Sequence, residues 1–396
     1  MDFQSVNPLN VRLNLLSGNL LPMTNNSSFP TFWRIYSACV WLFELFYVVT
    51  LILGCFFVPI EKTMNDGIIV LIVIAEANFV IMRIFSQTAL VQQLIGKLND
   101  TLNIGDENMR NIIITNIKPM ETPFKFYLMI GTFSTSFWFC MSLPLIFEKN
   151  QFYYSDFKAP GVYSKEPFSV DIYLIGTMII LINNIYIFVK KVSVDVYITH
   201  LISLITAQYQ YIGSRFVLAF RNCSQQADNC NVLESNFRVD SSIEKEIKDL
   251  CRQHNNMVYI MLMVKKLLSV NIVIMYVNNV FRFCFLGVML SRISASVLEG
   301  SMVFMYGSGS ITQFYILCNC FQKLSEATSD MTDKAFHEDW YQFNFSVKRI
   351  FMMVIMASNN MDLRISLFKN FNLSLPSFMS VLNQSYSIAL LLLRMQ

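Results

Sequence analysis

Three charges stand inside otherwise apolar runs of this sequence: Glu44, Glu76 and Arg282. At such a depth a charged group either relays protons or ions, or closes an internal pair or faces a wet cavity, because an unpaired charge in hydrocarbon is costly. Spacing alone leaves these readings open. Catalytic chemistry finds less support. The histidines, His200, His254 and His337, are far apart, so no imidazole metal cluster forms from them. His337-Glu338 lacks the second histidine of a zincin helix, and no phosphate loop, dinucleotide fingerprint or nucleophile elbow occurs. Gly307-Ser-Gly-Ser310 sits in an apolar run, where small residues let helices approach closely. Cys318 and Cys320 read the same way, as small packing residues. The expectation is no enzyme: no catalytic residue, no metal and no cofactor.

A second group of residues suits binding. Asn78 and Phe79, Phe137, Trp138 and Met141, Thr177 and Met178, then Met302, Met305 and Tyr306 mix aromatic, sulfur and small polar groups in the outer halves of apolar runs. Apolar walls with a few hydrogen-bonding groups hold small, largely hydrophobic molecules. Composition does not separate such a site from ordinary helix packing.

These groups need helices to carry them across a bilayer. The chain has 396 residues, 54% hydrophobic and only 14% charged, with a mean hydropathy of +0.45. Soluble domains carry nearer ~25% charge, so a cytosolic enzyme, a disordered chain and a nucleic-acid binder are disfavoured together. The net charge of +3 implies no polyanionic partner. Seven runs suit a core of ~30 Å: Phe32–Ile60, Gly67–Phe85, Phe126–Phe147, Ile172–Val189, Leu267–Phe281 extended by Phe283–Ser291, Ser301–Gln322 and Asn370–Leu393. The polar start, Met1–Pro30, lacks a basic-then-apolar leader and is expected to remain in the mature protein.

Charge sets the expected orientation. With the N-terminus in the cytoplasm, only Lys62, Lys149, Lys158, Lys165, Arg292 and Arg394 face outward, and Arg282 lies within a span. The large remainder of the 30 basic residues, Lys190, Lys191, Lys348 and Arg349 among them, stays at or inside the cytoplasmic boundary. Seven crossings then put the C-terminus outside. The sequons at Asn25, Asn26, Asn99, Asn222 and Asn344 fall on the cytoplasmic side and are expected to go unused. Outside, only Glu148–Asp171 is long enough to form a lid.

Several spans outrun the membrane. Lys190–Phe220 keeps apolar residues at Val192, Val196, Leu201 and Ile205 near helical spacing. Ser241–Arg252 leads through Met257, Ile260 and Val264 into the fifth span, and the stretch between, Asn222–Asp240, is polar and short. Asp333–Met361 alternates charge with Trp340, Phe343, Val347, Phe351 and Val354. Such stripes either bury against each other as a cytoplasmic bundle or lie flat on the bilayer. The expected fold is therefore all-α, with seven transmembrane helices extended into a cytoplasmic anchor. It divides into an N-terminal segment (1–31), six spans (32–322), an anchor helix (323–369) and a last span (370–396).

That last span is the most informative stretch. Pro376 fits a first helical turn with Ser374 as cap, and Ser377, Ser380, Gln384 and Ser387 recur in steps of three and four, a polar stripe assigned to interhelical contacts. Trp340 and Lys348–Met356, then Leu373-Ser-Leu-Pro-Ser-Phe378, then Ser385-Tyr386-Ser387 occur in that order before a minimal tail. In this the sequence resembles the insect odorant receptors. Gustatory receptors end in Thr-Tyr, five apolar residues and Gln-Phe; here Leu392 and Leu393 stand at the last two places. The co-receptor of the odorant branch has a much longer loop between its fourth and fifth spans than Asn222–Asp240.

The resemblance implies a ligand-specific subunit of a ligand-gated, non-selective cation channel in the plasma membrane of olfactory sensory neurons. Its implied partners are a small volatile hydrophobic odorant, co-receptor subunits in a heterotetramer, membrane lipid and permeating cations. It places the gate at Ala389, Leu392 and Leu393, and raises Trp138, Met178 and Tyr306 from packing residues to ligand-binding candidates. The rivals are a gustatory-type channel, a G-protein-coupled receptor and a secondary transporter. A G-protein-coupled receptor needs an outside N-terminus plus Asp-Arg-Tyr and Asn-Pro-x-x-Tyr motifs that are absent. A transporter calls for internal duplication or paired broken helices, and neither is visible.

Overall fold

Lipid offers a peptide group no hydrogen-bond partner, so a chain this apolar must pair its backbone within its own segments. In the computed structural model the described residues are helical nearly throughout, and the isolated bridge between Phe152 and Phe168 is their one strand-like pairing. The structure describes all residues except 1, 25–28, 64–66, 105, 230–232, 293–296, 361–372 and 395–396. In order the helices are α1 (Phe3–Val6), α2 (Pro8–Leu16), α3 (Thr31–Phe57), α4 (Ile60–Lys62), α5 (Ile68–Ser86), α6 (Thr88–Ile104) and α7 (Glu107–Cys140). They continue with α8 (Leu145–Glu148), α9 (Val170–Asn229), α10 (Leu233–Arg292), α11 (Val297–Phe336), α12 (Phe345–Asn360) and α13 (Leu375–Arg394).

The seven expected spans fall on α3, α5, α7, α9, α10, α11 and α13. Four of these, α3, α5, and the stretches Val170–Arg221 of α9 and Glu244–Ser291 of α10, are long and apolar enough to cross a membrane on composition alone. The third span is shorter than the sequence implied. The chain leaves α7 at Cys140 and turns through Pro144, whose ring and missing N–H do not continue a helix. The last span begins at Leu375, with the Ser374 hydroxyl accepting from the Ser377 amide at 3.3 Å as the expected cap. The expected start of that span at Asn370, and the end of the expected anchor segment, lie outside the described residues.

α9 and α10 have 60 residues each, roughly 90 Å at ~1.5 Å per residue. That is about three times the hydrocarbon thickness, so most of each helix must project. The projecting parts do not lie flat. Ile198, Ile202 and Ile205 of α9 share one buried core with Ile260 and Val264 of α10, Leu324 and Met331 of α11, and Val347 and Phe351 of α12. Gly213 lets α9 and α11 meet: a Cβ there would lie 3.1 Å from the Met331 Cα. The polar stretch 222–240 proves largely helical, since α9 runs to Asn229 and α10 starts at Leu233.

The N-terminal segment is built into this bundle rather than trailing from it. Phe3 is buried against the Tyr197 and His200 rings, its amide donates to Asn99 Oδ1 at 2.8 Å, and its carbonyl lies 3.0 Å from His200 Nε2. Tyr197 donates to the Pro22 carbonyl at 2.7 Å, and Leu13, Leu21 and Met23 are buried.

At the opposite end of α9, residues 141–169 fold into a cap. Phe152 stacks on Tyr173 at 4.2 Å between centroids, and Phe157 stacks on Tyr173 at 5.1 Å and on Phe168 at 5.6 Å. Lys149 pairs with Asp156 at 2.7 Å, and that hydrogen bond raises the lysine's pKa. The cap is seated through Gly54 of α3, where a Cβ would stand 2.6 Å from the Pro160 carbonyl carbon. The obstacle is backbone, which cannot swing aside. Gly54→Ala is therefore expected to lift the cap and destabilise the protein by about 1–3 kcal/mol, read as a lowered melting midpoint of the detergent-purified protein.

Candidate ligand site

Where α9 passes between its neighbours, six charges are buried together. Lys190 pairs with Glu44 of α3, which also accepts from Asn78 of α5 at 2.9 Å. The Lys190 ammonium sits 3.4 Å from the centroid of the Trp41 ring, a close cation–π contact. Lys191 bridges Glu76 of α5 at 2.8 Å and Asp195, one turn on, at 2.7 Å. Asp195 accepts from Gln313 of α11 at 2.9 Å, and Gln313 accepts from Arg282 of α10 at 2.7 Å. Arg282 also donates to Asn279. All six charged residues are at most 4% exposed. Three cations balance three anions, so the cluster is neutral as a whole, and Glu44, Glu76 and Arg282 each meet partners from another helix.

One turn or two above this cluster on each helix, a cavity opens. It is lined by Ile69, Val70 and Val73 of α5; Ser134, Thr135 and Trp138 of α7; Asn184, Ile187 and Phe188 of α9; Leu286 and Met289 of α10; and Met302, Val303 and Tyr306 of α11. Lys158 reaches in from the cap, its ammonium 5.1 Å from the Trp138 ring centroid. The volume is about 110 Å³, of the same order as an apolar cavity of ~150 Å³ that takes up benzene. The charged cluster closes its floor: Glu76 follows Val73, Lys191 follows Phe188 and Arg282 precedes Leu286, each by one turn. Gly131 fits the wall, because the Phe188 ring occupies the space a Cβ would need, at 2.0 Å.

Of the ten residues singled out in the sequence, Trp138, Met302 and Tyr306 line this cavity. The other seven are placed elsewhere. Asn78 serves Glu44, Thr177 is buried, Phe137 stacks on Phe133 at 6.1 Å, and Phe79 and Met178 are exposed on the outer surface. Met141 lies in the turn after α7, and Met305 is half-buried beside Tyr306. Residue type identified suitable chemistry, but which side of each helix faces inward depends on its neighbours. Asn184 was missed, although Asn183-Asn184 interrupts an uncharged apolar run. Lys190, Lys191 and Asp195 were missed as buried charges; the four-residue spacing of Lys191 and Asp195 was their signal. Cys318 and Cys320 are buried thiols, and Gly309 packs on α7, where a Cβ would lie 3.1 Å from Ile130.

α10 ties the cavity to the last helix. Leu286 and Met289 face the cavity, while Cys284 and Val288, on the other side of the same turns, pack on Ala389 of α13 with Leu392 and Leu393 beside it. A Cβ on Gly287 would stand 3.2 Å from the Ala389 Cβ. The contact is pinned by the Ser385 hydroxyl donating to the Val280 carbonyl at 3.1 Å. Gln384 and Ser387 of the polar stripe are exposed on α13, and Gln384 Oε1 accepts from the Tyr276 hydroxyl of α10 at 3.4 Å, one interhelical contact of the kind expected for the stripe.

A sequence model of the 7tm odorant receptor family matches residues 63–386. The chain belongs to this family. It is a multi-pass membrane protein of a receptor family, not an enzyme family. Solved structures agree on the fold. The olfactory receptor OR5 of Machilis hrabei in complex with eugenol superposes with a TM-score of 0.77 at 14% identity, over 99% of this chain and 98% of that one. The structure reported for the same receptor without mention of a ligand gives 0.77 at 12% identity, over 98% and 97%. No curated protein matches the sequence.

Proposed function

We propose that this odorant receptor is the odorant-binding subunit of a ligand-gated, non-selective cation channel, working in a heterotetramer with co-receptor subunits in the plasma membrane of olfactory sensory neurons. The observation that carries this reading is the double use of α10: one side walls the cavity, and the other packs on α13 at Ala389. A molecule entering the cavity presses on Leu286 and Met289, and the same turns hold the last helix. Leu392 and Leu393, half-buried at the end of α13, form the gate, and their apolar ring blocks ions by dewetting. Ala389, implied as a third gate residue by the family resemblance, is buried against α10 and holds the helix there. A ligand shifts gating only by its differential affinity for the closed and open states, so an odorant opens the channel by fitting better when α13 has moved outward toward α10. The N-terminus lies in the cytoplasm, with the helical bundle as the anchor between subunits. A related receptor solved with eugenol supports a small aromatic or apolar ligand for this cavity.

The test is current recorded from cells expressing the chain with and without a co-receptor, across a panel of volatiles. Cation current evoked by some of them is expected with the co-receptor. A surface-delivered chain silent to the whole panel in both settings would overturn the reading, as would an N-terminal epitope accessible on intact cells. Trp138→Ala removes an aromatic wall worth ~1 kcal/mol per ring contact. It is expected to raise half-maximal concentrations of ring-bearing ligands roughly tenfold while surface assembly persists, checked by concentration–response curves beside surface labelling.

A further inference from the structure

Asn184 stands on α9 in the cavity wall. Its Nδ2 donates to the Ile180 carbonyl at 2.8 Å and to the Tyr47 hydroxyl at 2.7 Å. A backbone carbonyl can only accept, so the nitrogen must occupy that side and the amide has one orientation. Tyr47 is fully buried, which holds its hydroxyl, and hence the amide plane, in place. Both amide hydrogens are thus committed to the protein. Among the described residues no group donates to Oδ1, so this oxygen is the polar atom Asn184 leaves to the cavity.

We infer that the cavity selects small, mostly apolar molecules that carry a hydrogen-bond donor, an alcohol or a phenol, and that Asn184 Oδ1 is the acceptor that reads it. The inference rests on the cavity being the ligand site. The other polar side chains of the wall are Ser134, which donates to the Gly131 carbonyl at 3.3 Å, Thr135, Tyr306, and Lys158, whose ammonium lies 5.1 Å from the Trp138 ring centroid. The remaining lining is aliphatic, aromatic or thioether, and Asn184 is its one amide. An ether or ester oxygen brought to Asn184 meets another oxygen and forms no bond. A hydroxyl at that place donates to it. Because a site built to bond a hydroxyl discriminates against the analogue lacking one, the preference separates molecules of equal size and composition.

The experiment pairs isomers, so that volume and atom count stay fixed: p-cresol against anisole, and 1-hexanol against methyl pentyl ether. Currents are recorded from the full chain with its co-receptor. The donor isomer of at least one pair is expected to act at about tenfold lower concentration than its ether. Asn184→Leu is expected to bring that ratio close to one. Tyr47→Phe, which leaves the Asn184 acceptor but frees one of its N–H groups, is expected to lower the ratio by improving the ether. It keeps the inference testable should the leucine variant fail to reach the surface. Equal potency of both isomers in the native channel, or a tenfold preference unchanged in both variants, overturns the assignment. A surface-delivered native receptor that answers none of these molecules or any other volatile removes the ligand-site reading, and this inference with it.

Discussion

Replacing Lys191 with Met is expected to cost the receptor most of its folded population. Lys191 is the only group within 4 Å shared by Glu76 and Asp195 among the described ion pairs, and all three are at most 1% exposed. Without the ammonium, two carboxylates remain buried with Arg282 as the nearest source of compensation in the cluster. Breaking a buried pair from one side costs about 3–5 kcal/mol, against a total stability of ~5–15 kcal/mol. The measurement is the monodisperse fraction and melting midpoint of tagged protein in detergent, with surface delivery in cells. The complementary experiment adds Glu76→Gln alone to the same chain. Lys190 then still pairs with Glu44, and Asp195 still balances Arg282 through Gln313, so the cluster is neutral again and much of the loss is expected to return. A single Lys191→Met variant with native yield and midpoint would show that these contacts contribute nothing to stability.

Gly287→Leu is expected to uncouple binding from opening. At Gly287 α10 lies against α13, and a Cβ there already crowds the Ala389 Cβ at 3.2 Å. A full leucine side chain acts as a wedge against outward movement of α13. A tenfold change in the ratio of open to closed states takes only ~1.4 kcal/mol, within the ~1–3 kcal/mol of a typical overpacking. The maximal evoked current is therefore expected to fall about tenfold or more with surface delivery retained. The wedge lies on the face of α10 away from the cavity, so ligand binding itself persists, read as competition with a fluorescent ligand. Evoked currents of native size in this variant would remove α10 as the link between cavity and gate.

The legible and illegible parts divide by length scale. Where apolar composition and capping act along one helix, the reading of the sequence holds in the structure. The seven spans, the Ser374 cap and the bundle of overlong helices follow from the need to satisfy every backbone group and bury every apolar stripe. The site was legible only where a bulky side chain could be recognised on its own, as with Trp138, Met302 and Tyr306. Met178 and Phe79 have equally suitable chemistry but point outward, because in lipid an apolar residue is tolerated on either face and hydrophobicity loses its directional meaning. Lys190 and Lys191 show the same limit with opposite sign. Two lysines ending an apolar run read as a membrane boundary, and only Glu44, Glu76 and Asp195 arriving from three places in the chain make burial affordable.

Fold class, the number of crossings and membership of the odorant receptor family were thus fixed by local pattern: helix-length apolar runs, overlong amphipathic extensions and ordered motifs near the C-terminus. The neutral six-charge floor, the cavity above it, the one orientation of the Asn184 amide and the shared use of α10 were decided by the tertiary structure alone. Each draws on groups tens to hundreds of residues apart brought into contact, as Tyr47 is with Asn184 and Glu44 with Lys190, and no periodicity along a single helix encodes which neighbour it will face.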